Sequence, residues 1–403
     1  MDTITHGIAG ALIGKALFEG DDLFTSRPVN RGRVASWALM LGAIFPDADT
    51  FRGLFDKNDL LIITWHRSIT HSLVLLPVWA LLLAACTRWV TKQFKWESPA
   101  FSALSGIYAA GLLSHIFLDL VTTFGTMIWS PLEWSRPAWD LIFIVDFSLT
   151  GIVLIPQALA WVFSKREKLR ARAVGMLLVF LPMPVLVGRI AQIVGAPISA
   201  RSIALVMMFL VALFLFPAIR GLGLRVSYAG WNRAGLVTAC AYIAAALYAH
   251  NAALDRVKTF AAFEHLEVQS LGALPFPPSL WHWDGLILTS RGVYELRMDL
   301  AEKAAVSDVA AKNPAEAPSL EYRFYPDAFP NSYIEQARQL PEVQKVLWFS
   351  RFPVTRFHKE GAEAIVEISD LRFAQIRPGH SASFTYRVRF GAAGNVVSQG
   401  WVK

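Results

Sequence analysis

The chain has 403 residues, of which 54% are hydrophobic and 17% charged, and its mean hydropathy is +0.41. A soluble globular protein does not carry that balance, so the composition points to a membrane protein. The formal charge of +7 is not a nucleic-acid footprint: residues 1–250 hold 21 Lys and Arg against 14 Asp and Glu, while residues 251–403 hold 17 of each. The excess belongs to loops between apolar runs, and no nucleic-acid partner is expected.

In chain order, two short apolar runs come first, 4–18 and 34–45, each below the roughly 20 residues that cross a bilayer. The first opens "MDTITHGIAG" and has no basic stretch ahead of it, so it reads as a retained helix rather than a secretory signal. Six longer runs follow at 73–90, 101–120, 141–163, 173–194, 202–219 and 234–250. The expected fold is an α-helical membrane bundle of six to eight helices.

Lys and Arg gather on alternate connections: the loops at 27–33, 87–98, 164–172 and 220–233 hold 14 of them, whereas 46–72, 121–140 and 195–201 hold five. The positive-inside rule puts the poorly charged loops on the outer side, which in a bacterial inner membrane is the periplasmic side. After about residue 255 the texture changes. "LPFPPSLWHWDG" is a Pro-rich aromatic entry, "NPAEAPS" reads as a loop, and "AIVEISDLRF" and "FTYRVRF" have strand character. "SYIEQARQLPEVQKVLWF" reads as a helix interrupted near Pro341. The chain is therefore read as a membrane domain over 1–254 and a small, mostly β or α+β, extramembrane domain over 255–403, expected on the periplasmic side.

Polar residues in the apolar half cluster in four places: Asp2 and His6; "FPDADT" with Asp47 and Asp49; "HRSITHS" with His66 and His71; and "SHIFLDLVTTFGT" with His115 and Asp119. All four lie toward the same predicted membrane face, although the topology was read from Lys and Arg alone. Asp2 and His6, and His115 and Asp119, are four residues apart, so each pair projects from one helical face. The spacing of His66 and His71 fits a helix poorly and puts His66 on a loop ahead of a helix start. Both cysteines, Cys86 and Cys240, fall inside apolar runs, so a metal here must be held by His and carboxylate. This donor set suits zinc first, with manganese or iron as alternatives, and its size allows one or two ions. Asp146 lies inside an apolar run, where an unpaired carboxylate is costly, so it is read as a further ligand or a partner of Arg67 or Arg136.

"MDTITH", "PDADT", "HRSITHS" and "HIFLDLVTTFGT" resemble, in order and spacing, the LexA-regulated, inner-membrane-bound metal-dependent hydrolase family of bacteria. The similarity covers roughly the first 150 residues. It implies metal ligands at His6, Asp47, Asp49, His66, His71, His115 and Asp119, with Asp2, Arg67 and Asp146 also at family positions and expected as catalytic residues. The expected activity is hydrolysis of an ester or phosphoester by metal-activated water, with Arg67 clamping an anionic oxygen. The position at helix ends suggests a lipid-linked substrate drawn from the bilayer. The alternatives are a cation- or proton-coupled transporter, whose signature would be mid-membrane polar residues and inverted repeats, and a metal-stabilised scaffold without catalysis.

Overall fold

The computed structural model describes residues 1–19, 30–56, 58–193, 198–276, 280–301, 321–376 and 384–402. The loop expected at 313–319 and parts of the loops at 27–33 and 195–201 lie outside the described residues. The helical part runs α1 (Thr3–Phe18), α2 (Arg31–Ile44), a 3₁₀ segment (Phe45–Leu54), a short α3 (Leu61–Thr64), a 3₁₀ turn (Ile69–His71), α4 (Leu76–Gln93), α5 (Phe101–Leu120), α6 (Phe147–Phe163), α7 (Leu169–Phe180), α8 (Met183–Ile193), α9 (Ala200–Arg220) and α10 (Tyr228–Phe263).

Among the described residues four stretches are helical, long and apolar enough to cross a membrane: Phe101–Leu120, Arg166–Gln192, Ala200–Arg220 and Tyr228–Phe263. A fifth exists if Leu61–His71 and Leu76–Gln93, which meet at 72°, count as one broken span. Thr3–Phe18 and Phe147–Phe163 are shorter apolar helices. The run expected from 141 becomes helix only at Phe147, because the Asp146 carboxylate accepts the Ser148 and Leu149 N–H groups at 2.8 and 3.0 Å and sets the start of α6 there.

Small residues bring α1, α2 and α5 together. A side chain at Gly14 would lie 2.7 Å from the Ser36 hydroxyl on α2, and one at Gly111 would lie 2.6 Å from the Leu39 carbonyl. Membrane helices without a hydrophobic driving force between them associate in this way, by close backbone approach at small residues. The result is that the N-terminal end of α1, the C-terminal end of α2 and the C-terminal end of α5 converge.

At 36 residues, α10 is about 54 Å long, well beyond the roughly 30 Å of a bilayer core. It continues through residue 254, and its last turns carry Ala253, Val257 and Phe260 into a core with Ala273, Trp283, Ile287 and Leu296. Those residues belong to the first of two antiparallel four-stranded sheets: β1 (Val268–Phe276), β2 (His282–Thr289), β3 (Gly292–Asp299) and β4 (Tyr322–Pro326). The segment around Pro341 is two helices, α11 (Ser332–Gln339) and α12 (Pro341–Phe349), with Pro341 at the first position of the second, where its missing N–H costs nothing.

The second sheet is β5 (Pro353–Glu360), β6 (Glu363–Asp370), β7 (Thr385–Phe390) and β8 (Val396–Trp401). "FTYRVRF" is strand from Thr385 onward. "AIVEISDLRF" is strand only to Asp370, after which a 3₁₀ turn (Leu371–Ile376) takes over. The C-terminal part is thus an α+β unit of two sheets. Its second sheet shares a core with the helical part: Leu60, Ile63 and Phe124 pack among Val346, Phe349, Val366 and Phe373. Polar bonds flank that core. Arg372 donates to the Thr123 carbonyl at 2.9 Å, Arg351 grips Asp140 through both carboxylate oxygens at 2.8 and 3.0 Å, and Trp401 donates to the Asp59 carbonyl at 2.8 Å.

Candidate metal centre

All seven residues expected as ligands lie together where α1, α2 and α5 converge, and four of them face one point. Asp47, His71, His115 and Asp119 each offer one ligand atom, and the four atoms lie within 4.8 Å of one another. The two imidazole Nε2 atoms are 3.0 Å apart. Asp119 Oδ2 is 3.3 Å from His71 Nε2 and 3.5 Å from His115 Nε2, and Asp47 Oδ1 is 3.7 and 3.5 Å from the same two atoms. Donors about 2.1 Å from a common tetrahedral centre stand about 3.4 Å apart, so the spacing fits one small divalent cation.

Proton positions support the same reading. His115 Nδ1 is 2.7 Å from the Ala43 carbonyl, which can only accept, so in the neutral ring the proton is on Nδ1 and the Nε2 lone pair faces the centre. Thr70 donates to Asp49 Oδ2 at 3.2 Å and is 3.1 Å from His71 Nδ1. Its oxygen therefore accepts from His71 Nδ1–H, leaving the His71 Nε2 lone pair inward as well. Asp119 Oδ2 is buried and has no hydrogen-bond donor. Two imidazole nitrogens and two carboxylate oxygens that converge in this way could hold a metal ion, and buried polar atoms do not ordinarily stay unmatched.

The backbone explains why these residues meet. Pro46, lacking an N–H, closes α2, and the tight 3₁₀ turns that follow carry Asp47 and Asp49 under the end of α5. Arg67 adopts a left-handed conformation (φ 62°) that favours glycine. This reversal lets its N–H donate to Asp49 Oδ2 at 3.0 Å while its carbonyl accepts from Met127 N–H at 2.9 Å. Strain of this kind is kept where the surroundings over-determine it, commonly at functional sites. Ser72 then accepts the Val74 and Leu75 N–H groups at 3.1 Å each and starts the chain into α4.

The other three expected ligands flank the centre. His6 Nε2 is 3.1 Å from Asp119 Oδ1, and its ring stacks on His115 with centroids 3.6 Å apart. His66 Nδ1 is 2.8 Å from Asp49 Oδ1. Asp49 in turn lies 3.4 Å from His71 Nδ1, outside the inward-facing set. Burial works against ionisation at Asp47, but its contacts with His115 and His71 outweigh it and hold the carboxyl far below the ordinary range. At Asp49 burial is likewise overcome, by hydrogen bonds from His66 and His71.

The residues expected to act on substrate sit elsewhere in the network. Arg67, expected to clamp a substrate oxygen, is buried with its Nη2 2.9 Å from Asp119 Oδ1. The Met1 amino group also bonds Asp119 Oδ1. Asp2 caps α1, accepting from Thr5 N–H at 2.9 Å and the Thr5 hydroxyl at 2.7 Å. Asp146 caps α6 and takes the Tyr242 hydroxyl at 2.8 Å.

Sequence reasoning missed three threonines and a carbonyl. Thr3 donates to Asp47 Oδ2 at 2.6 Å, Thr70 relays between His71 and Asp49, Thr122 accepts from Arg67 Nη1 at 3.0 Å, and the Ala43 carbonyl sets His115. The threonines stand inside the quoted motifs, at Thr3, Thr70 and Thr122, and that placement was the available signal.

Residues 1–192 match the model of the YdjM inner membrane protein family, a stretch that contains every residue of the cluster and ends in α8. No curated protein and no solved structure matches the chain. The match and the spanning-capable helices together support a multi-pass protein of the bacterial inner membrane.

Proposed function

We propose that the chain is a membrane-embedded metal-dependent hydrolase of an ester or phosphoester, in line with its resemblance to the LexA-regulated hydrolase family. The observation that carries this reading is the convergence of Asp47 Oδ1, His71 Nε2, His115 Nε2 and Asp119 Oδ2, beside a histidine held by a carboxylate. A divalent cation held by those four, zinc first with manganese or iron as alternatives, would lower the pKa of a coordinated water to about 7 and polarise the substrate.

The residues around the four have separable tasks. Asp49 fixes the His66 tautomer through Nδ1 and leaves Nε2 open at the rim, where the side chain is 22% exposed while those of His71 and His115 are fully buried. His66 is thus the group positioned to take a proton from water or give one to the leaving oxygen. Arg67 and His6 fix Asp119 through Oδ1, which keeps Oδ2 aimed inward. The C-terminal unit packs on the loops that carry His66 and Arg67, and this reading gives it the task of holding them on the periplasmic side, the side that the charge pattern of the loops favours.

The test is metal analysis of purified wild-type and His66→Ala protein, paired with a screen of phosphoester and carboxyl-ester lipids. Wild type retains the metal and hydrolyses one class, whereas His66→Ala retains the metal and loses turnover by at least 10²-fold. A wild-type protein that holds metal but cleaves neither class contradicts the reading.

One observation favours a second reading, a metal-stabilised scaffold: the four donors are buried, and a closed set of four protein ligands is the structural pattern for zinc. Metal removal separates the two. A scaffold unfolds on chelation and has no turnover to lose, whereas a hydrolase loses turnover at chelator concentrations that leave the fold intact.

A further inference from the structure

The 3₁₀ segment Phe45–Leu54 has two unlike sides. One carries Asp47 and Asp49 into the cluster, and the other presents Phe51, Leu54 and, one residue on, Phe55, which are 63, 73 and 89% exposed. An apolar patch this open on a water-facing surface would be a liability, so its surroundings need identifying.

Its depth can be read from α5. His115 and Asp119 lie in the last two turns of that spanning helix, within about 8 Å of its end at Leu120. Asp47 Oδ1 stands 3.5 Å from His115 Nε2, so the 3₁₀ segment sits at the level where α5 leaves the bilayer. Aromatic side chains mark the same level independently. Trp139 N–H donates to the Leu120 carbonyl at 2.7 Å, its ring meets Phe117 edge-on at 5.8 Å, and Trp129, Trp134 and Trp139 are all exposed. Exposed tryptophans at helix ends mark the headgroup layer, where one end of the ring is apolar and the other wet.

The patch also adjoins His66, whose side chain is partly exposed. Arg52, between Phe51 and Leu54, lies over the Trp65 ring at 4.0 Å, and Trp65 precedes His66, the exposed member of the histidine set. An apolar face, a cation and the partly exposed edge of His66 are therefore contiguous.

We propose that Phe51, Leu54 and Phe55, with Arg52, are immersed in the headgroup layer, so that the partly exposed edge of His66 receives a membrane amphiphile from the lipid phase, its ester at headgroup depth. The identity of the substrate as an ester rests on the hydrolase reading; the immersion does not. A soluble substrate would have to approach across the water-facing side, whereas an amphiphile reaches His66 by sliding along Phe51 and Phe55 with its head beside Arg52.

The experiment places a nitroxide at Phe55→Cys, and separately at Leu54→Cys, in the full-length chain carrying Cys86→Ser and Cys240→Ser. The protein is reconstituted in vesicles of phosphatidylethanolamine and phosphatidylglycerol. Collision with oxygen is compared with collision with a water-soluble nickel chelate, using Leu205→Cys on α9 as the lipid reference and Asn395→Cys in an exposed turn as the water reference. Both side chains project outward, so the substitutions leave the fold intact. The expected oxygen-to-nickel ratio lies between the two references and several-fold above that of Asn395→Cys. A ratio equal to that of Asn395→Cys overturns the proposal, and so does protection from both reagents, which would mean that another protein surface covers the face. Immersion found without hydrolysis in the lipid screen overturns the hydrolase reading and the ester with it, and leaves the immersion standing.

Discussion

Two helical regions of the same chain treat polar residues in opposite ways. In α5, 44% of the apolar stretch is buried inside the protein, and the helix carries His115 and Asp119 inward. In α9 the figure is 17%, and between Ile203 and Ala218 there is no polar side chain at all. A charged group is tolerated within a bilayer only where protein surrounds it. The inner layer of α1, α2 and α5 provides that setting through glycines that let the backbones touch, while α9 faces outward and stays apolar. The buried His and Asp cluster thus sits at the ends of helices that pack against one another, not on α9.

The contrast is broken most severely at Asp119, whose Oδ1 holds Arg67 and His6 while Oδ2 faces the centre. Asp119→Asn leaves the buried Arg67 without its charge partner, and the expected loss is about 3–5 kcal/mol of stability, with bound metal falling to background. Thermal unfolding in detergent and metal analysis of the same preparation check both.

Gly111→Leu comes next. The added side chain collides with the Leu39 carbonyl and pushes α2 from α5, which carry Asp47 and His115 at their ends. A loss of about 1–3 kcal/mol is expected, with metal content falling in parallel even though no ligand has been touched. A stable Gly111→Leu protein with full metal content would show that close packing is not what assembles the site.

Asp2→Ala removes the cap of α1 and costs about 1 kcal/mol without changing metal stoichiometry. A drop in stoichiometry would give Asp2 a part in the centre that its bonds to Thr5 do not suggest. Smallest of all, Phe209→Ala on the exposed face of α9 shifts unfolding by no more than about 0.5 kcal/mol, because the side chain exchanges lipid for lipid. A large shift there would mean that α9 has a protein neighbour, and the contrast with α5 would fail.

The same contrast explains what was legible in the sequence. His6, Asp47, Asp49, His66, His71, His115 and Asp119 stood out because polar residues inside apolar runs are expensive, and the loop charges brought them to one face before any contact was known. Their division of labour was not legible, since it depends on which ring nitrogen a distant carbonyl occupies, as Ala43 does for His115. Asp2 and Asp146 also stood out as carboxylates at the start of an apolar run, but the local N–H groups that they cap are invisible to spacing arguments. Of the fold, the helical bundle and the change of texture near 255 were readable. The passage of α10 through that boundary was not, because an alanine-rich helix leaving the bilayer keeps its 3.6-residue pattern. The docking of the second sheet against Phe124 was not readable either, because it joins residues more than 200 positions apart.

The central claim is that Asp47, His71, His115 and Asp119 hold a divalent cation at the level of the helix ends. Metal content of the purified wild-type protein, set against His71→Ala folded in the same detergent, tests it most directly. The account predicts about one tightly held divalent ion per chain in the wild type and none in the variant. A wild-type protein without metal, or a variant that keeps it, would contradict the account.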